Sequence, residues 1–138
     1  MVTLITGSKG TGKTKQLIQL VNEAVETSDG NVVCVEQKQK LTYDVSSRVR
    51  LIAADDYAVA GYDAFYGFLC GICAGDHDIT DIFVDATLRI GGREYQALAA
   101  FLGKVSKLSA ALDKRFLFTV SAPDEDLPEE IFSFCKKF

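Results

Sequence analysis

No apolar run in this sequence approaches the ~20 residues a helix needs to cross a bilayer, so no membrane partner is expected. An excess of basic charge is missing too. Fifteen Lys and Arg stand against 19 Asp and Glu, a net charge of −4. That balance argues against a broad basic surface for nucleic acid and leaves only a local patch as a route to one. Histidine occurs once, in Gly75-Asp76-His77-Asp78. Three consecutive side chains do not converge easily on one ion, which disfavours a metal site there. Internal repeats, low-complexity tracts and linkers are absent, and 138 residues suffice for one domain around one core. No basic flank or cleavage site precedes the strand-like run that begins at Val2, so a cytoplasmic location is expected. In that compartment the four cysteines are expected to be reduced. Cys70-Gly71-Ile72-Cys73 is a C-x-x-C without a second pair. It falls in the helical apolar pattern of Phe65, Phe68, Leu69 and Ile72, so a buried helical pair outweighs a redox or zinc reading.

What is present concentrates near the N-terminus. Gly7-Ser8-Lys9-Gly10-Thr11-Gly12-Lys13-Thr14 fits G-x-x-x-x-G-K-[ST], the phosphate-binding Walker A pattern. Three glycines let the backbone wrap an anion and turn N–H groups toward it. A helix starting there adds the positive end of its dipole. In this pattern Lys13 reaches the β- and γ-phosphates of a nucleotide and the Thr14 hydroxyl ligates Mg²⁺. Lys9 within the loop and Lys15 directly after it are further binding candidates. Val2–Thr6 reads as a strand before the loop, and Lys15–Val21 as helix after it, which is the context the motif requires. By composition, a chance match in a chain of this length has odds of about one per cent or less.

Strand and helix alternate from there on. A first helix is expected over Lys13–Thr27, with Leu17, Leu20, Val21 and Ala24 on one face. Val32–Val35 reads as a buried strand closing on Glu36. Gln37–Ser47 reads as a polar surface loop, and Val49–Ile52 as a short strand closing on Asp55-Asp56-Tyr57. Helices are expected from about Tyr62 to Ala74 and from Arg93 to Leu112, the second after a break at Gly91-Gly92. Ile79–Asp85 and Phe116–Val120 read as strands, and Pro128 suits the first turn of a closing helix. The expected fold is α/β: three α/β/α layers on a mainly parallel five-stranded sheet, with ligands beyond the carboxyl ends of the strands.

Ile79–Asp85 is the second informative stretch. A hydrophobic strand ending in Asp is the Walker B pattern, whose carboxylate holds Mg²⁺. Asp85 is therefore the expected metal carboxylate beside Thr14. Four acidic residues, Glu36, Asp55, Asp56 and Asp85, would share the rim of strand ends. Glu36, Asp55 and Asp56 read more readily as helix caps or solvated ends. Many hydrolysing ATPases place Glu directly after the Walker B Asp, and Ala86 stands there. Asp55 or Asp56 would orient the nucleophile if the third strand lies beside the first. Arg89 and Arg93 follow Asp85 and are candidates for contact with the γ-phosphate, although a surface charge is the commoner role.

Gly7–Thr14 together with Ile82–Asp85 resembles the P-loop NTPase superfamily. More narrowly, "ITGSKGTGKTKQLIQLVNEAV", "KLTYD" and "YDAFYGFLCGICAGDHDITDIFVD" resemble a family of small bacterial ATP-binding proteins. Its members are sometimes labelled twitching-motility (pilus-retraction) ATPases. That resemblance covers most of the chain and implies nucleotide binding. The opening is also similar to type II thymidine kinases. Those use a Glu after the Asp of their second motif and a four-cysteine zinc lasso, and Ala86 and the scattered cysteines depart from both.

The expected ligand is therefore a nucleotide with Mg²⁺. No guanine-reading N-K-x-D element is visible, which favours ATP over GTP. Three functions fit. One is an ATP-binding switch or accessory factor that hydrolyses slowly or with a partner protein. The second is a small nucleotide or metabolite kinase, with Asp55 or Asp56 as base and the Gln37–Ser47 loop as part of its acceptor site. The third is a non-enzymatic interaction module.

Overall fold

Short runs of Val, Ile, Leu and Phe become strands buried on both faces, because branched and aromatic side chains fit a pleated surface between two layers. In the computed structural model, which describes residues 1–138, these are β1 (Val2–Thr6), β2 (Asn31–Glu36), β3 (Arg50–Ala53), β4 (Ile79–Asp85), β5 (Arg115–Val120) and β6 (Lys136–Lys137). The helices between them are α1 (Lys13–Thr27), α2 (Tyr62–Gly75), α3 (Thr87–Gly91), α4 (Tyr95–Leu112) and α5 (Ile131–Phe134). All strands are parallel, in the order β3-β2-β4-β5-β1-β6.

The sheet has six strands rather than the expected five. The additional one is only two residues long and pairs Lys136 and Lys137 with Thr3 and Leu4. Two lysines carry no apolar signal, so this edge was invisible in the sequence. The closing helix is correspondingly shorter than expected: α5 is a single turn, and the chain then extends into β6.

Alternate residues of β2 enter opposite layers. Val33 and Val35 join a cluster of 26 buried residues with α2, α4 and α5, whereas Val32 and Cys34 join one of 8 with α1. Helices thus cover both faces, and most of the buried apolar side chains lie on the α2–α4 side. There Phe65 stacks on Phe101 with centroids 4.9 Å apart, and Phe118 meets both edge-on.

The Arg93–Leu112 helix starts later than expected. The chain first makes the separate turn α3, passes Gly92 at φ +108°, and enters α4 at Tyr95. Gly91 allows close approach here: a Cβ would stand 2.0 Å from the Tyr62 ring. The Tyr62 hydroxyl donates to the Gly92 carbonyl at 2.6 Å.

The 37–47 segment is more packed than a polar surface loop. Leu41 and Val45 are buried in the α1 cluster together with Val49. Asn22 of α1 accepts from the Ser46 amide at 2.8 Å and donates to the Asp44 carbonyl at 3.2 Å. Tyr43 remains fully exposed.

Candidate functional site

The connection from β1 to α1 needs glycine at several points. Gly7, Gly10 and Gly12 have φ of +143°, +85° and +86°, a region that side chains with a Cβ avoid. At Gly7 an added Cβ would also lie 2.8 Å from Thr11 Oγ1. The Gly7 amide donates to the Ala122 carbonyl at 3.0 Å, which ties the loop to the end of β5. The following amides, Ser8 to Thr14, donate to no acceptor within the protein. Helix α1 begins at Lys13 with no side-chain cap and no acidic residue in its first turn. Unpartnered N–H groups and a positive dipole end therefore meet at one spot.

Lys13 is buried, and its Nζ donates to the Ser8 carbonyl at 2.9 Å. Burial pushes its pKa down, and the nearby Asp85 carboxylate opposes that shift. Thr11 Oγ1 donates to the same carbonyl at 2.8 Å.

Thr14 and Asp85, 71 residues apart in sequence, meet over the sheet. Thr14 Oγ1 lies 3.1 Å from Asp85 Oδ2 and 3.3 Å from Oδ1. Between β4, which ends at Asp85, and β1, which leads into the loop before α1, runs β5, and its Thr119 hydroxyl donates to Asp85 Oδ1 at 2.6 Å. The carboxylate is thus oriented from two sides. A hydroxyl and a carboxylate are hard oxygen donors, the type that suits Mg²⁺. No group of three or more His, Cys, Asp or Glu side chains stands together as a self-sufficient metal site. Mg²⁺ does not need one, because it commonly takes one or two protein ligands and fills its shell with phosphate oxygens and water.

Two cavities adjoin this pair. One of about 300 Å³ lies over the loop, walled by Lys9, Gly10, Gly12, Lys13 and Lys15. The other, about 290 Å³, lies toward the end of β2 and is walled by Glu36, Gln37, Lys38, Lys40 and Asp44. Thr14, Asp85, Ala86 and Arg89 border both. A larger concavity of about 680 Å³ sits beside Asp81 and Arg115, at the starts of β4 and β5. That is the opposite end from the strand termini where open parallel sheets hold ligands.

Glu36 is neither a helix cap nor a solvated end. It is 3% exposed and stands in register with Asp85 on the neighbouring strand. Its Oε1 accepts the amides of Lys40 and Leu41 at 2.9 and 3.2 Å, and its Oε2 has no partner. Burial raises its pKa; the two amide bonds oppose this and the Asp85 charge adds to it.

Asp55 and Asp56 fall elsewhere. They occupy a helical turn after β3, at the sheet edge. Four strand spacings of about 4.8 Å, roughly 19 Å, separate β3 from β1. The third strand does not lie beside the first, so the condition for their orienting a nucleophile is not met. Asp56 instead accepts from Gln39 Nε2 at 3.4 Å, and Asp55 donates its amide to the Gln37 carbonyl at 3.0 Å. Arg89 borders both cavities, whereas Arg93 is exposed and borders neither. The Asp76–Asp78 turn is structural: Asp76 accepts from Asn31 Nδ2 and from the Asp78 amide.

Sequence reading placed Glu36 on the rim and the 37–47 loop at the acceptor side, but missed the burial of Glu36 and the part played by Thr119. The available signal for Glu36 was its position, a charge closing an otherwise wholly apolar run. The chain matches no known protein-family model and no curated protein.

Proposed function

We propose that this chain is a P-loop nucleotide-binding protein that takes ATP with Mg²⁺ and turns it over slowly or with a partner. The contact between Thr14 and Asp85 carries this reading, because it joins the two oxygen donors that the Walker A and B patterns assign to one cation. The uncapped α1 terminus and the free amides of residues 8–14 support a triphosphate in the adjoining cavity. On this reading Lys13 leaves the Ser8 carbonyl for the β- and γ-phosphate oxygens, and Arg89 contacts the terminal phosphate. Mg²⁺ at Thr14 and Asp85 would neutralise the charge that the phosphates bring. Ser8, Lys9, Thr11 and Lys15 complete the phosphate-binding loop.

Slow turnover follows from two features. Ala86 follows Asp85, so no carboxylate stands next in sequence to orient a water. Glu36, the nearest alternative, has one oxygen engaged by loop amides. ATP is proposed over GTP because no N-K-x-D element is present.

Calorimetry tests the reading. Mg-ATP should bind with micromolar affinity, and Lys13→Ala should weaken it about 100-fold, as expected for charge-assisted bonds to phosphate. Unchanged affinity in Lys13→Ala would place the nucleotide elsewhere. Asp85→Ala should retain ATP binding but lose most of its dependence on Mg²⁺. The second cavity favours a further reading, phosphoryl transfer to a small acceptor.

A further inference from the structure

We propose that the cavity beyond the Thr14–Asp85 pair binds a small alcohol bearing a phosphate or carboxylate group, whose hydroxyl receives the terminal phosphate of ATP. This rests on the nucleotide reading above and names the acceptor for the same site.

Position is the first support. The cavity shares Thr14, Asp85, Ala86 and Arg89 with the phosphate cavity. A molecule in it would therefore lie against the terminal phosphate, on the side away from the loop. Size is the second. About 290 Å³ corresponds to roughly ten waters at ~30 Å³ each. That is far more than one attacking water needs, and it approaches the lower bound for small-molecule pockets.

Charge is the third support. Lys38, Lys40 and Arg89 border the cavity, and none of them is engaged in a salt bridge. With Arg89 on the terminal phosphate, Lys38 and Lys40 remain to suit an anionic group on the acceptor. Against them stand three carboxylates, Glu36, Asp44 and Asp85, of which Asp85 would be offset by Mg²⁺. The buried Glu36 Oε2 lacks a partner, and a buried polar atom without one is rare unless a ligand or water supplies it. An acceptor hydroxyl is the donor that this oxygen lacks.

The step balances without a further reagent. The acceptor oxygen forms a bond to the γ-phosphorus. The bond from that phosphorus to the β,γ-bridging oxygen breaks, and ADP leaves with the electron pair. The hydroxyl proton passes to Glu36 and then to solvent. A cavity too wide to fix one water also accounts for slow hydrolysis when no acceptor is bound.

The test incubates the protein with Mg²⁺ and ATP labelled at its terminal phosphate. Glycerol 3-phosphate and glycerate serve as anionic acceptors, and glycerol and thymidine as uncharged ones. Label should move to one of the anionic pair, which also tells phosphate from carboxylate, and not to glycerol or thymidine. The Lys38→Ala/Lys40→Ala variant should raise the acceptor KM about tenfold or more, the effect of losing charged contacts, while calorimetry still records Mg-ATP binding. The same acceptor should bind wild type saturated with Mg²⁺ and a non-hydrolysable ATP analogue. Label on the uncharged compounds alone overturns the assignment. So does Mg-ATP binding with neither transfer to nor binding of either anionic compound, which leaves the nucleotide reading intact. Absence of Mg-ATP binding overturns both.

Discussion

Glu36 closes β2 with a carboxylate where four apolar residues precede it, and the fold buries it beside Asp85. Because burial raises its folded pKa, the unfolded chain releases this proton first as pH rises. Stability is therefore lost between the ordinary glutamate value, about 4, and the higher folded value. Glu36→Gln keeps an oxygen for the Lys40 and Leu41 amides and cannot ionise. Its melting temperature relative to wild type should be flat below about pH 4, rise above that, and level off. A difference that is constant across pH would show that the carboxylate is not penalised by burial. Lys13 behaves oppositely with respect to charge. Its buried ammonium has one acceptor, the Ser8 carbonyl, so Lys13→Ala should lose nucleotide without a lower melting temperature. At this scale the glycine-dependent turn of Gly7–Thr14 was legible, because the pattern demands glycine at fixed positions and Gly7, Gly10 and Gly12 all have positive φ. Glu36 was not, because a charge at a strand end looks the same whether it is solvated or buried.

Helix α1 links core and site. It is the only helix packed into the smaller buried cluster, and its first turn forms part of the cavity over the Gly7–Thr14 loop. Leu17 lies one turn beyond Lys13 and is fully buried. Leu17→Ala should destabilise the protein by about 3 kcal/mol, within the range for buried Leu→Ala, read by chemical denaturation. It should also weaken Mg-ATP binding, since the helix terminus shifts with its anchor. The span of α1 was legible to the residue, because apolar spacing and the glycine before it agree. The boundary at α3 and α4 was not, since it depends on Gly91 fitting against Tyr62, a contact 29 positions distant. Strand β6 was hidden for a different reason: its place beside β1 is fixed by backbone pairing rather than by side-chain pattern. Its Lys137 also pairs with Asp124, which accepts from Thr6 at the end of β1.

For the whole molecule, strand order decides which carboxylates are near the loop. Alternating elements predict a parallel sheet but not the order of its strands, so Asp55 and Asp56 looked equivalent to Glu36 until the topology separated them. With β3 outermost, Glu36 and Asp85 stand on adjacent strands and only β5 intervenes between Asp85 and β1. A ligand binding across β1, β4 and α1 should raise the stability of the whole fold. At a concentration 100 times its Kd, Mg-ATP should add about 2.7 kcal/mol. ATP with a chelator should add much less. Equal stabilisation with and without Mg²⁺ would remove the cation from the site.

The most direct measurement is a crystal structure with Mg²⁺ and a non-hydrolysable ATP analogue. The β- and γ-phosphates should lie within hydrogen-bond reach of the 8–14 amides and Lys13 Nζ, with Mg²⁺ between Thr14 and Asp85. A nucleotide bound elsewhere, or phosphates in the loop with no cation reached by Asp85, would contradict the account.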